Sequence, residues 1–109
     1  MPGKLPELSI FFPFWNEEKN IETIVTKAIP IAQKIADKWE IIMIDDGSAD
    51  KTLQIAKKLA EKNKNLSITS HFPNRGYGAA LKEGLTKSKY KYIVFNDGDG
   101  QFDFSEIHK

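Results

Sequence analysis

Two pairs of carboxylates each follow a short apolar run of the sequence, namely Asp45 with Asp46 and Asp97 with Asp99. Crowded carboxylates repel one another, so their ionised state requires a compensating cation. Mg²⁺ and Mn²⁺ bind carboxylate oxygens and leave coordination positions for substrate phosphates. Gln101 follows the second pair and would add a neutral oxygen from the same side. The Asp-x-Asp pattern and its surroundings therefore predict a Mg²⁺ or Mn²⁺ site.

Each acidic pair also has a simpler interpretation, because Asp-Gly sequences are typical of turns. Either Ser48 or Asp50 is placed to cap the helix predicted after the first pair. That capping leaves Asp45 and Asp46 without a structural function, and a carboxylate at a strand end can accept hydrogen bonds from a base N–H or ribose hydroxyls. We therefore expect at least one of these two side chains to bind a ligand.

The segment 74–78 (NRGYG) opens a predicted helix and contains Arg75, the only arginine of the chain. A glycine-rich helix start presents free N–H groups to anions, and a guanidinium pairs well with phosphate. The segment matches neither the dinucleotide-binding fingerprint nor a P-loop. Taken alone, it is equally consistent with an ordinary loop.

These side chains come together only if the chain brings several strand ends to one place. Runs rich in branched and aromatic residues predict buried parallel strands at 8–12, 40–44, 66–70 and 92–96. Helical patterns separate these runs, so the order β-α-β-α-β-α-β predicts an α/β fold with a mainly parallel sheet flanked by helices. Such sheets bind ligands beyond the carboxyl ends of their strands, where all four exits should converge.

The helical patterns predict where the connections begin. The first helix should start at the N-cap Asn16 and should kink or divide at Pro30, because proline lacks a backbone donor. The second should follow Asp50, and the third should start near Gly76. A helical turn is expected from Ser105.

The composition excludes several classes of protein. The chain has 109 residues, 40% of them hydrophobic, and no cysteine, which excludes disulfide scaffolds and thiolate chemistry. A net charge of +1 argues against nucleic acid as the main partner. No apolar run has the roughly 20 residues of a membrane helix, and no signal peptide opens the chain. His71 and His108 are isolated and predict neither a catalytic triad nor a zinc site.

In this order, four segments resemble the amino-terminal half of a family 2 glycosyltransferase with the GT-A fold. They are 12–18 (FPFWNEE), 44–50 (IDDGSAD), 74–80 (NRGYGAA) and 96–101 (NDGDGQ). The glutamine at position 101 makes the chain similar to the subgroup of dolichyl-phosphate mannose synthases and other polyprenyl-phosphate glycosyltransferases.

The resemblance implies a role for particular residues, with Trp15 at a position that is often tyrosine and stacks on the base. It places Asp99 and Gln101 on the metal. The donor-nucleotide contacts that it implies are Pro13, Trp15, Glu17, Ile44, Asp46, Arg75, Asp97, Gly98 and Asp99. It implies no catalytic residue within this chain beyond the metal site.

The implied reaction is transfer of a hexose, with inversion, from a UDP- or GDP-linked sugar to a polyprenyl or dolichyl phosphate. Residues 1–109 would form the nucleotide-sugar-binding part, so the acceptor half, any general base and any membrane helices would lie outside the chain. We therefore expect this fragment alone to be inactive. The location expected for the intact protein is cytoplasmic, at the cytoplasmic face of a membrane.

Two alternatives remain at this stage. One is a nucleotide-binding module that does not catalyse a reaction. The other is a phospho-acceptor receiver domain, which has a similar length, a similar alternation of strands and helices, and an acidic pair at a strand end. Against it, the pair formed by Asp45 and Asp46 follows the second predicted strand rather than the first.

Overall fold

The computed structural model describes residues 5–71, 73–95 and 107–108, and these ranges contain three helices and five strands. In chain order, the elements are β1 (Leu5–Phe14), α1 (Ile21–Ile35), β2 (Ala36–Asp46), α2 (Thr52–Lys62), β3 (Leu66–His71), α3 (Tyr77–Lys87), β4 (Tyr92–Phe95) and β5 (Ile107–His108). The predicted runs at 8–12, 40–44 and 66–70 lie within the first three strands. The fourth is confirmed up to residue 95, and Asn96 lies outside the described residues.

The strands form one sheet in the order β3-β2-β1-β4-β5, in which β1 to β4 are parallel. The predicted parallel α/β fold is confirmed. Receiver domains place their third strand beside their first, whereas β2 and β4 flank β1 here, so the sheet order argues against that alternative. Residues 107–108 pair antiparallel with β4. The helical turn predicted from Ser105 is wrong at these two residues, because they extend the edge of the sheet.

Helices cover both faces of the sheet, which explains why the strands are almost continuously apolar. The larger core lies under α1 and α2 and includes Leu8, Ile10, Phe12, Phe14, Val25, Ala28, Met43 and Ala56. The smaller core lies under α3 and consists of Phe11, Ile42, Ile44, Ala80 and Ile93. Successive residues of β1 thus enter opposite cores, as the pleat of a strand requires.

Helix α1 differs from its prediction in where it begins and in not being divided at Pro30. It begins at Ile21 rather than beside Asn16, whose φ of 53° is not helical. It also continues through Pro30 as one element, so the predicted division into two helices is wrong. Ala28 and Ala32, on either side of the proline, are fully buried against the sheet and hold both halves of the helix on one surface.

Helices α2 and α3 begin where the sequence predicted, after Asp50 and at Gly76. Within the described ranges, no helix combines the length and the hydropathy that crossing a membrane requires.

Candidate functional site

The loops that leave β1 and β2 are joined by reciprocal hydrogen bonds. The Asn16 backbone N–H donates to Ser48 Oγ at 2.9 Å, and the Ala49 N–H donates to Asn16 Oδ1 at 2.8 Å. Asn16 is therefore a bridge between loops instead of the predicted N-cap. Its left-handed backbone is one that asparagine adopts more readily than most residues, because its short polar side chain bonds locally.

A second pair of hydrogen bonds ties the same loop to the start of α2. The Glu17 N–H donates to Thr52 Oγ1 at 2.8 Å, and the Glu18 N–H donates to Asp50 Oδ2 at 3.2 Å. Thr52 is fully buried, and its hydroxyl is paired on both sides, because it accepts from the Glu17 N–H and donates to Asp50 Oδ1. Four hydrogen bonds thus fix residues 16–18, which follow β1, against the loop after β2 and the start of α2.

Lys51 stands at the N-cap position of α2, and Asp50, the residue before it, performs the predicted capping through its side chain, because its Oδ1 accepts the Thr52 backbone N–H at 2.9 Å. Ser48, the other candidate, instead accepts from Asn16. Burial raises the pKa of the Asp50 carboxyl, but hydrogen bonds from Thr52 and from the Glu18 backbone outweigh this effect and hold the pKa below its ordinary value.

The Asp46 carboxylate organises the loop before α3. Its Oδ1 accepts the Arg75 N–H and its Oδ2 accepts the Gly76 N–H, each at 2.9 Å. The Asp46 carbonyl also accepts a hydrogen bond from Asn74 Nδ2 at 2.8 Å. Asp45, its neighbour, accepts the Ser48 N–H at 3.3 Å. The prediction that Asp45 and Asp46 have no structural function is therefore wrong: both are buried, and both receive backbone N–H groups.

Gly47 allows the loop after β2 to touch the loop before α3. It has a φ of +75°, and a Cβ built on it would lie 2.6 Å from the Asn74 nitrogen. A side chain at this position would collide with backbone as well as strain the glycine conformation. The glycine thus brings the exit of β2 and the Asn74 segment into direct contact.

His71, which has no titratable neighbour close in sequence, is a candidate for the functional site. Its Nδ1 lies 3.4 Å from Asp46 Oδ1, and its Nε2 lies 3.5 Å from Glu83 Oε1 on α3. The imidazole is buried, and it is paired in register with Asp46 as the last residue of its strand. The sequence offered one indication of this pairing: the predicted strands at 40–44 and 66–70 are consecutive, so the residues that follow them, including Asp46 and His71, could lie side by side.

The structure brings six predicted donor contacts to the carboxyl edge of the sheet. Pro13, Trp15 and Glu17 lie at the exit of β1, Ile44 and Asp46 at the end of β2, and Arg75 before α3. They differ in accessibility. The Trp15 indole is 58% exposed and Arg75 is exposed, whereas Pro13, Ile44 and Asp46 are buried and Glu17 is half-buried.

Asp97, Gly98, Asp99 and Gln101 lie outside the described residues, so the predicted metal pair stays a prediction. Within 5–71 and 73–95, no cluster of three or more histidine or acidic side chains is arranged to hold a metal ion. The described part of the edge thus contains hydrogen-bonding and aromatic groups, and the metal ligands predicted from sequence would follow β4.

Residues 9–109 match the family described as glycosyl transferase family 2. The dolichyl-phosphate beta-glucosyltransferase of Saccharomyces cerevisiae is 35% identical over 108 residues, which cover 94% of this chain. The dodecaprenyl-phosphate galacturonate synthase of Rhizobium johnstonii is 33% identical over 107 residues, which cover 97%. The chain spans 32% of the length of each relative.

Glucosyl-3-phosphoglycerate synthase from Mycobacterium tuberculosis, solved with Mn²⁺, UDP and glucosyl-3-phosphoglycerate, has a similar fold. Its TM-score is 0.67 at 27% identity, and the match covers 86% of this chain and 34% of that one. The sheet and helices described above therefore have the architecture of GT-A glycosyltransferases, as the sequence predicted.

Proposed function

Because this chain belongs to glycosyl transferase family 2, we propose that it is the donor-binding part of an enzyme that transfers a sugar from a nucleotide diphosphate sugar to a polyprenyl phosphate. The observation that carries the proposal is the convergence of three loops on Asp46 and its neighbours at the carboxyl edge of the sheet. The names of both relatives, a dolichyl-phosphate glucosyltransferase and a dodecaprenyl-phosphate galacturonate synthase, contain a polyprenyl-type phosphate, which supports this class of acceptor.

Asp46 has capacity to bind a ligand as well as the loop. A carboxylate offers about four lone-pair positions on its two oxygens. The Arg75 N–H takes one position on Oδ1, His71 Nδ1 lies 3.4 Å from the same oxygen, and the Gly76 N–H takes one position on Oδ2. One acceptor position on Oδ2 therefore remains for a base N–H or a ribose hydroxyl. The small exposure of Asp46, 5%, limits this contact to a group that fits closely against it.

The exposed groups around Asp46 suit the other parts of a nucleotide diphosphate. The Trp15 indole offers an accessible aromatic face on which a base would stack. Arg75 is an exposed guanidinium next to the N-terminus of α3, and both features favour phosphate. Glu17 is half-buried, and its backbone is fixed by Thr52 at the exit of β1, so we assign its carboxylate to the ribose hydroxyls.

We further propose that Asp99 and Gln101 hold Mg²⁺ or Mn²⁺ against the donor diphosphate. Two oxygen ligands from one short segment suit a hard cation that keeps positions for phosphate oxygens. When bound, the ion neutralises negative charge on the departing diphosphate. The related mycobacterial synthase was solved with Mn²⁺ and UDP, which supports a divalent ion and leaves Mg²⁺ and Mn²⁺ as alternatives.

The acceptor chemistry determines what the remainder of the enzyme must supply. A lipid phosphate is already an anionic nucleophile, so its attack with inversion at the anomeric carbon needs no strong general base. A hydroxyl acceptor would need a carboxylate base within reach. We propose that the remainder of the intact protein supplies the groups that bind the acceptor. Because the proposed acceptor is a lipid, we place the intact protein at the cytoplasmic face of a membrane. We expect residues 1–109 alone to bind nucleotide without transferring sugar.

Thermal unfolding with UDP, GDP, CDP and dTDP, each with and without Mn²⁺, tests the donor site. A ligand that binds the folded state raises Tm by mass action. We expect UDP or GDP to raise Tm, with a larger shift when Mn²⁺ is present and a smaller one in Trp15→Ala. Trp39, which is half-buried on β2 at the other end of the sheet, provides the control variant Trp39→Phe. Absence of a shift with all four nucleotides would contradict the proposal.

A further inference from the structure

His71 is a buried imidazole between two carboxylates, and the proposed function gives it no task. Its exposure is 6%, and its two nitrogens face Asp46 Oδ1 at 3.4 Å and Glu83 Oε1 at 3.5 Å. An ionised carboxylate only accepts hydrogen bonds, so a hydrogen bond between the ring and Asp46 requires the tautomer with its proton on Nδ1. Buried polar groups are nearly always paired in this way. The imidazole is thus a donor held against the end of β2.

The contact with Asp46 matters because of what else that carboxylate binds. Oδ1 already accepts the Arg75 N–H, so a second donor from His71 takes its remaining lone-pair position. Oδ2 accepts the Gly76 N–H and keeps one position. With Oδ1 held on two sides, the carboxylate plane cannot rotate without breaking hydrogen bonds to β3 and to the loop before α3. The direction of the free position on Oδ2 is therefore fixed.

We propose that His71 is a positioning residue for the donor site: it donates from Nδ1 to Asp46 Oδ1 and thereby orients Oδ2 toward the nucleotide. The inference rests on the proposed function, since it gives His71 a role through a ligand contact of Asp46. Glu83 takes part differently. Its side chain is 26% exposed, it lies near the other ring nitrogen, and Lys87 Nζ lies 3.9 Å from its second oxygen. Glu83 faces the ring at Nε2, whereas Asp46 faces it at Nδ1.

Two substitutions separate the contacts of the ring. In His71→Asn the side-chain amide N–H₂ lies near the place of Nδ1, so the contact with Asp46 is kept and the contact with Glu83 is lost. In His71→Gln the amide reaches the place of Nε2, so the contact with Glu83 is kept and the contact with Asp46 is lost. Both variants remove the ring and should lower Tm to a similar extent.

The experiment is calorimetric titration of the chain with UDP and with GDP, each with Mn²⁺, alongside thermal unfolding. We expect His71→Asn to bind nucleotide within about threefold of the wild type, and His71→Gln to bind about tenfold more weakly, as loss of a hydrogen bond to a charged group implies. Glu83→Gln is the matched control and should retain wild-type affinity. A purely structural role predicts instead that affinity follows Tm in all three variants, and this result would overturn the proposal.

A measurement on the wild-type chain covers the case in which the variants fail to fold. Nitrogen-15 NMR of the histidine rings reports which nitrogen of His71 carries a proton. The proposal requires a proton on Nδ1, and a bare Nδ1 overturns it. Failure of the donor site and failure of the His71 role give different results. If the wild type binds neither nucleotide, the proposed donor site fails, whereas normal binding by His71→Gln refutes only the role of His71.

Discussion

Two carboxylates, one at the end of β2 and one just before α2, hold loops of the candidate site in place. Asp46 receives two backbone N–H groups from the loop before α3, and Asp50 receives one from the start of α2. A carboxylate that accepts backbone N–H groups has a stabilised ionised form. Both residues therefore hold loops in place. Asp46 has this structural role in addition to the ligand contact proposed above.

Asp50 makes this structural role measurable through pH. Its pKa is held below the ordinary value, so its ionised form contributes stability that is fully present above the pKa of the unfolded chain, about 3.9. That contribution is lost as the pH falls through the lower, folded-state pKa. We expect the stability difference between wild type and Asp50→Asn to be constant from neutral pH to about 5 and to shrink below about 4.

Urea unfolding at pH values between 3 and 7 measures this difference. At neutral pH, Asp50→Asn should cost less than about 1 kcal/mol, because asparagine also caps helices. Asp37→Asn, an exposed carboxylate on β2, controls for the change in net charge. If the two variants have the same pH profile, the hydrogen bonds to Asp50 do not stabilise its ionised form.

Among the elements, α3 packs against β1 through a glycine. Gly84 lies in the middle of this helix, and a Cβ built on it would lie 2.2 Å from Cδ2 of Phe11. Phe11 is fully buried in the smaller core, so its ring has little space into which it can move. The absence of a side chain at Gly84 therefore sets how near α3 approaches β1, and with it the position of the loop that Asp46 holds.

Gly84→Ala should destabilise the protein although alanine favours helices. Overpacking a buried ring costs about 1–3 kcal/mol, and the gain in helix propensity is about 1 kcal/mol. Gly78→Ala in the same helix meets no atom within 4 Å and should instead be neutral or stabilising by up to about 1 kcal/mol. Urea unfolding of both variants decides the matter, and Phe11→Leu should relieve part of the Gly84→Ala defect. Equal stabilisation by both alanines would contradict the close packing.

Across the whole molecule, the hydrophobic pattern and the order of the elements predicted the parallel strands and the edge at which they end. Apolar runs located the four parallel strands, and the polar exits of the described strands meet at one edge as expected. The pattern could not predict hydrogen bonds between loops that are distant in sequence. Asn16 resembles an N-cap locally, but its side chain bonds Ala49 after another strand. His71 looked isolated because its partners, Asp46 and Glu83, are 25 and 12 residues away along the chain.

The whole-molecule arrangement leads to a prediction for the segment after β4. This strand lies beside β1, so its exit points to the same edge as Trp15 and Glu17. If Asp99 in that segment holds the cation, replacing Asp99 should remove the effect of Mn²⁺ on nucleotide binding. The contacts that we propose between the nucleotide and the described loops should remain. We expect Asp99→Asn with Mn²⁺ to bind UDP or GDP as weakly as the wild type does in EDTA.

Calorimetry with and without Mn²⁺ measures this effect, and Asp103→Asn provides a control that removes a nearby carboxylate without altering the Asp-x-Asp motif. The Tm of Asp99→Asn without nucleotide should equal that of wild type in EDTA, because the cation contributes through the ligand. If Mn²⁺ strengthens nucleotide binding equally in Asp99→Asn and wild type, the cation is held by other groups. The carboxylates at the end of β2 would then be the next to test, since β2 ends at the same edge.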